Sequence, residues 1–172
     1  MFQDEARFGR ISESRRCWCK KPLRPLVKAM LTHEYMYAFA AVSPVDGRLD
    51  SLVLPHVNAQ CMQLFTDEVA SRYPKENIIM VLDGAGWHKA GSLKLAGNLR
   101  LHFLPPYSPE LNPQEHIWDE LREKYFHNRV FASLDALEDQ LVQALKSFEA
   151  DPQRMHSIAG WDWIINAASN EK

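Results

Sequence analysis

Cysteine is scarce in this sequence. Its three residues, Cys17, Cys19 and Cys61, are an odd number without zinc-type spacing. They argue against a disulfide framework and suit a reducing compartment, so a cytoplasmic location is expected. Cys17-Trp18-Cys19 resembles half of a metal site, but no second half exists, and loop packing is the expected role. Long apolar runs are missing: none approaches the ~18 residues of a transmembrane helix, so no membrane association is expected. The opening Met1-Phe2-Gln3-Asp4-Glu5 lacks the basic-then-apolar order of a signal peptide. Internal repeats and low-complexity stretches are absent as well. Net charge is only −2, which by itself identifies no polyanionic partner.

What is present is ordinary globular material. The chain has 172 residues, 46% of them apolar. That length suits one domain spanning residues 1–172, with a core large enough to need no covalent staple. The charge is unevenly spread. Residues 1–30 carry eight Lys/Arg against three acids, a local +5, and the remainder carries a local −7. A basic segment on an acidic body suggests a polyanion-facing surface, with a solvated loop as the alternative. Arg15, Arg16, Lys20, Lys21 and Arg24 are the candidate phosphate contacts.

Periodicity outlines the elements. Residues 1–8 read as a strand, and 9–28, broken by Pro22 and Pro25, as a loop. Residues 34–42 and 49–54 read as strands joined at Ser43-Pro44-Val45-Asp46-Gly47, where Asp-Gly signals a hairpin. Asn58 can cap a helix to about Tyr73, with Met62, Phe65, Val69 and Tyr73 along one stripe. Asn77–Leu82 is almost wholly apolar and suits a strand buried on both faces. A short helix is expected over 87–96, a strand over 99–104, then a proline-dense loop to Pro113. A helix to about His127 follows, and Ser133 opens another. The order predicts an α/β mixed sheet covered by helices, with ligands beyond the carboxyl ends of its strands. The stripe Leu134, Leu137, Leu141, Leu145 and Phe148 is read as core, with a homodimer seam as the minority reading.

Three acids stand out by position. Asp4 lies on the first strand, Asp83 ends the buried strand, and Glu115 opens the helix after the proline loop. If the first strand neighbours the buried one, the three carboxylates converge. Such a cluster repels itself unless divalent cations neutralise it. Oxygen ligands suit Mg²⁺, with Mn²⁺ as substitute. Two such ions about 4 Å apart can promote phosphodiester cleavage. Each acid also has a plainer reading. Asp83-Gly84 is a turn signal, Glu115 falls where a capping box would place it after Asn112, and Asp4 beside Glu5 reads as surface charge. His88 lies five residues after Asp83, able to orient a site water, contact a phosphate, or serve only in packing.

Three segments carry a family resemblance. They are Phe2-Gln3-Asp4-Glu5, then 81–88 (VLDGAGWH), then 104–115 (LPPYSPELNPQE). Together they resemble the catalytic domain of mariner-like bacterial insertion-sequence transposases, and the likeness runs along essentially the whole chain. The resemblance implies a ribonuclease-H-like fold with a five-stranded sheet, and an Asp-Asp-Glu triad at Asp4, Asp83 and Glu115. The triad would bind two Mg²⁺ ions. It implies cleavage at transposon ends to release a 3′-hydroxyl, then attack of that hydroxyl on target DNA. The stretch from Asp83 to Glu115 is about one helical turn shorter than in the family, a change that keeps helix phase. Relatives usually carry upstream helix-turn-helix modules. This chain opens inside the first catalytic strand, so an upstream DNA-binding domain or separate reading frame is expected. The rival readings are a stand-alone ribonuclease-H-like nuclease and an inactive DNA-binding remnant.

Overall fold

The computed structural model describes residues 1–11, 15–16, 18–24, 26, 32–89 and 91–169. Cys17 and Lys28 lie outside them. Strands β1 (Phe2–Gly9), β2 (Tyr35–Val42), β3 (Leu49–Leu54), β4 (Ile78–Leu82) and β5 (Leu99–Phe103) form one mixed sheet in the order β3-β2-β1-β4-β5. The first three pair antiparallel, whereas β1–β4 and β4–β5 are parallel. Helix α1 (Ala59–Arg72) links β3 to β4; α2 (Gln114–Leu121), α3 (Leu134–Glu149), α4 (Pro152–Ala159) and α5 (Asp162–Ser169) follow β5. None of these helices is long and apolar enough to cross a membrane.

Strand alternation divides the interior in two. In β2, Met36, Ala38, Ala40 and Val42 face α2, α3 and α4, while Phe39 and Ala41 face α1. Strand β2 therefore carries apolar side chains on both faces. Helix α1 begins at Asn58, whose side chain accepts the Cys61 N–H at 2.8 Å, and it buries Met62, Phe65 and Val69. Helix α3 is capped by Ser133 and buries Leu137, Leu141, Leu145 and Phe148 in the chain's own core. Those four side chains are thus already engaged within the fold. The hairpin turns at Gly47, with φ of +71°; a Cβ there would stand 1.9 Å from the Pro152 carbonyl oxygen. Only glycine permits both the left-handed backbone and that approach.

Three details depart from the sequence reading. Strand β4 is not buried on both faces throughout, because Ile79 is half exposed. No α-helix forms over 87–96 among the described residues, where the backbone makes turns. Gly86 and Gly91 disfavour a helix there. The Gln63 side chain of α1 braces the segment instead, accepting the Lys94 N–H at 2.7 Å and donating to the Lys94 carbonyl at 2.8 Å. Helix phase therefore does not govern the Asp83–Glu115 spacing, because loops set that distance. Finally, α2 passes at Arg122 into a π-helical turn, Arg122–Phe126, in which His127 N–H donates to the Arg122 carbonyl. This turn seats Phe126 4.7 Å from Phe8.

Candidate active site

Strand pairing brings the two aspartates together. Phe2 is level with Val81 in the parallel β1–β4 pair, so two further residues along each strand bring Asp4 level with Asp83, one residue past the end of β4. Glu115 arrives by a stapled loop. Leu104 N–H donates to the Leu82 carbonyl at 2.8 Å, and Pro109–Leu111 makes a 3₁₀ turn. Asn112 then ties the loop to β1: its Nδ2 donates to the Gln3 carbonyl at 3.1 Å, and its Oδ1 accepts the Gln114 N–H at 3.1 Å. Glu115 follows in the first turn of α2. Asp4, Asp83 and Glu115 line a single open pocket of about 460 Å³ with Lys89, Asn112 and the proline loop.

The plainer roles fare differently from one another. The Asp83-Gly84 turn is real, since Asp83 Oδ1 accepts the Ala85 N–H at 3.0 Å, and it coexists with a carboxylate facing the pocket. The cap of α2 is served by Asn112 rather than by Glu115. The Asn112 N–H that a capping-box glutamate would accept donates to the Pro109 carbonyl at 2.9 Å. Glu5 is not surface charge, because only 6% of its side chain is exposed.

The acids perturb one another. Burial is the main force that raises Asp4 to about 7, and the charges of Glu115 and Glu5 push the same way. The Trp118 indole N–H, donating to Asp4 Oδ2 at 2.9 Å, partly offsets this. Glu115 is raised as well, first by burial, with Asp119 and Asp83 adding to it and Arg122 opposing. Among the described residues no three acidic, imidazole or thiolate groups stand close enough to hold one ion.

His88 lies behind Asp83, itself almost wholly buried. Its Nδ1 is 2.8 Å from Asp83 Oδ1 and its Nε2 is 2.8 Å from Glu5 Oε1. Two carboxylate oxygens at hydrogen-bonding distance select the ring protonated on both nitrogens. Burial opposes that charge, but the bonds and charges of Glu5 and Asp83 outweigh it and raise the His88 pKa. The Trp87 indole nitrogen lies 3.0 Å from Nε2 and meets the ring edge-on. We assign the Nε2 proton to Glu5, because an unprotonated Nε2 would set a lone pair against a carboxylate.

Arg15, Arg16, Lys20, Lys21 and Arg24 all lie exposed in the connection between β1 and β2, and none lines the acid pocket. Arg7 and Arg10 of the same basic segment have structural partners: Arg7 stacks 4.5 Å over Tyr35, and Arg10 pairs with Glu34 and donates to the Phe131 carbonyl. Sequence reasoning missed Lys89, the cation of the pocket wall, whose Nζ would stand 2.6 Å from a Cβ at position 84. Position 84 is glycine, which leaves Lys89 room beside Asp83. Sequence reasoning also missed Glu5 as a buried partner of His88. Strand parity was the available signal, since adjacent residues of β1 face opposite sides of the sheet.

The strand order and mixed pairing define a ribonuclease-H-like fold, with the acid pocket beside Asp4 of β1, at the carboxyl end of β4 and against the proline loop. Residues 1–138 match the model of the DDE superfamily endonuclease family, and the chain belongs to that family. It is 35% identical over 130 residues to an uncharacterized protein of Sinorhizobium fredii, y4pE/y4sA, covering 75% of this chain and 96% of that one. Among solved structures, it resembles the Mos1 mariner paired-end complex with Mn at a TM-score of 0.65 and 16% identity. That match covers 99% of this chain and 55% of the Mos1 chain, so this chain spans about half its length. The catalytic domain of Mos1 mariner transposase matches at a TM-score of 0.53 and 12% identity, over 92% of this chain and 81% of that one.

Proposed function

We propose that the chain is the catalytic domain of a DNA transposase. In this reading it hydrolyses a phosphodiester at a transposon end and joins the freed 3′-hydroxyl to target DNA. The observation that carries the reading is the shared pocket of Asp4, Asp83 and Glu115, drawn from β1, the turn after β4 and α2, far apart in sequence. The three would hold Mg²⁺, or Mn²⁺ as substitute. Their oxygen-only donor set, with Asp4 and Glu115 both raised in proton affinity, fits hard divalent cations. When bound, a pair of such ions neutralises the cluster, activates water and stabilises the leaving oxygen.

The remaining chemistry belongs to the protein. Trp118 holds Asp4 through its indole N–H, and His88 holds Asp83 from behind. Lys89 offers a cation to the phosphate beside the carboxylates. Arg15, Arg16, Lys20, Lys21 and Arg24 contact backbone phosphate, so DNA binding is sequence-blind and salt-sensitive. End recognition falls to an upstream DNA-binding domain or a separate frame, and two copies of the chain pair two ends. Support comes from family membership and from the likeness to Mos1 complexes named for their transposon end, Mn and Mg.

Calorimetric titration with Mn²⁺, followed by incubation with an end-bearing duplex and a target plasmid, tests the reading. The parent chain, with a DNA-binding region supplied if needed, should bind Mn²⁺, cut and join. Asp83→Asn should lose all three. Cutting without joining would make it a stand-alone nuclease, and DNA binding without metal or cutting would make it an inactive remnant.

A further inference from the structure

Glu5 is an unusual residue to find inside this fold. It sits on the central strand, next to Asp4 in sequence but on the opposite face. Its carboxylate receives the Gln3 Nε2–H at 3.0 Å and meets His88 Nε2 at 2.8 Å. The imidazole extends the chain of bonds, with Nδ1 at 2.8 Å from Asp83 Oδ1 and 3.1 Å from the Asp83 carbonyl oxygen. Three side chains from β1 and from the turn after β4 thus form one series, Gln3–Glu5–His88, that ends on a carboxylate of the pocket. Asp83 needs such a brace. Its side chain is 61% exposed, and it lies beyond the last residue of β4, where the ladder no longer fixes it. The Ala85 N–H donates to Asp83 Oδ1 at 3.0 Å, and the imidazole adds a second contact on that oxygen, which narrows the rotamers of a side chain so exposed.

We propose that Glu5 is a positioning residue for the acid pocket, acting through His88 to hold the Asp83 carboxylate in the orientation that receives a divalent cation. The proposal rests on the reading of Asp83 as a metal ligand. Glu5 does not line the acid pocket. It fixes the direction of the imidazole, and the imidazole fixes Asp83. Partners of this kind behind metal ligands contribute about 10–100-fold to metal affinity.

The test measures Mn²⁺ affinity by calorimetry on the full chain without DNA, with folding checked by circular dichroism. Glu5→Ala should weaken binding at least about tenfold. Glu5→Asp keeps the charge but withdraws the oxygen from Nε2, and it should weaken binding as well. Glu5→Gln loses the charge but keeps an acceptor oxygen within reach, and it should restore most of the affinity. A purely electrostatic role for Glu5 predicts the reverse order for Asp and Gln, and that order would overturn the proposal. Glu5→Ala combined with His88→Ala should bind no more weakly than His88→Ala alone, because the two act in series; additive losses would also overturn it. If Glu5→Ala fails to fold, the Asp and Gln variants decide the matter between them. Asp83→Asn distinguishes failure of the metal-ligand reading from failure of the positioning role. Parent-like Mn²⁺ binding in Asp83→Asn removes the metal-ligand reading and this proposal together. Abolished binding in Asp83→Asn, with parent-like binding in Glu5→Asp and Glu5→Ala, removes the positioning role alone.

Discussion

At residue scale, burial and neighbouring charge raise the pKa values of Asp4 and Glu115, so each favours its neutral form. Asp4 illustrates the sign. Its folded pKa is raised from 3.8 to about 7, so between those values the folded protein holds a proton that the unfolded chain has released. Stability therefore falls as pH rises through that window, by at most on the order of 4 kcal/mol. Asp4→Asn removes the charge and still accepts the Trp118 N–H. Its metal-free melting temperature should exceed the parent's at pH 8, and the gap should close toward pH 4. A gap that persists at pH 4 would mean that charge is not the cause. Glu115→Gln makes the parallel case on α2. Because Asn112 serves the cap, the variant should melt at or above the parent temperature without metal. It should also show a smaller shift on adding Mn²⁺ and no cleavage of an end-bearing duplex. Retained cleavage would remove Glu115 from the proposed chemistry.

At the scale of elements, the β2–β3 turn reaches across to α4. Gly47 combines a left-handed φ with an approach too close for any side chain. Gly47→Ala should cost about 2 kcal/mol or more, because backbone strain of 1–3 kcal/mol adds to a clash with backbone that cannot swing away. Chemical denaturation measures this directly, and an effect below about 0.5 kcal/mol would show that α4 shifts freely. Element boundaries were largely legible. Asn58 and Ser133 are chemical start signals, and both cap their helices here. The failure over 87–96 has a definite cause. Gly86 and Gly91 disfavour a helix locally, and the Gln63 side chain satisfies the Lys94 backbone from another element, a partner that nothing in the local pattern encodes.

On the scale of the whole molecule, charge is separated. The acid pocket lies at the edge where β1 and β4 meet, and the five candidate phosphate-binding residues lie in the β1–β2 connection. Replacing Arg15, Arg16, Lys20 and Lys21 together by alanine should lower affinity for duplex DNA of any sequence. It should also flatten the dependence of log affinity on log salt, by up to about 0.9 for each phosphate the connection no longer neutralises. Fluorescence anisotropy at several salt concentrations reads both, and an unchanged slope would place the DNA elsewhere on the surface.

The sequence by itself determined most of the periodic elements and marked Asp4, Asp83 and Glu115 as the candidate acids. Periodicity records which side chains must leave water, and the segments around Asp4, Asp83 and Glu115 are distinctive as local strings. Tertiary structure alone decided how those acids are held. Parallel pairing of β1 with β4 set Asp4 level with Asp83, Asn112 stapled the loop that delivers Glu115, and the Trp118 indole came to rest on Asp4. The bond from His88 to Glu5 spans 83 residues. No local pattern carries that pairing, because a hydrogen bond of this reach exists only once the sheet, the turn after β4 and the buried face of β1 have met.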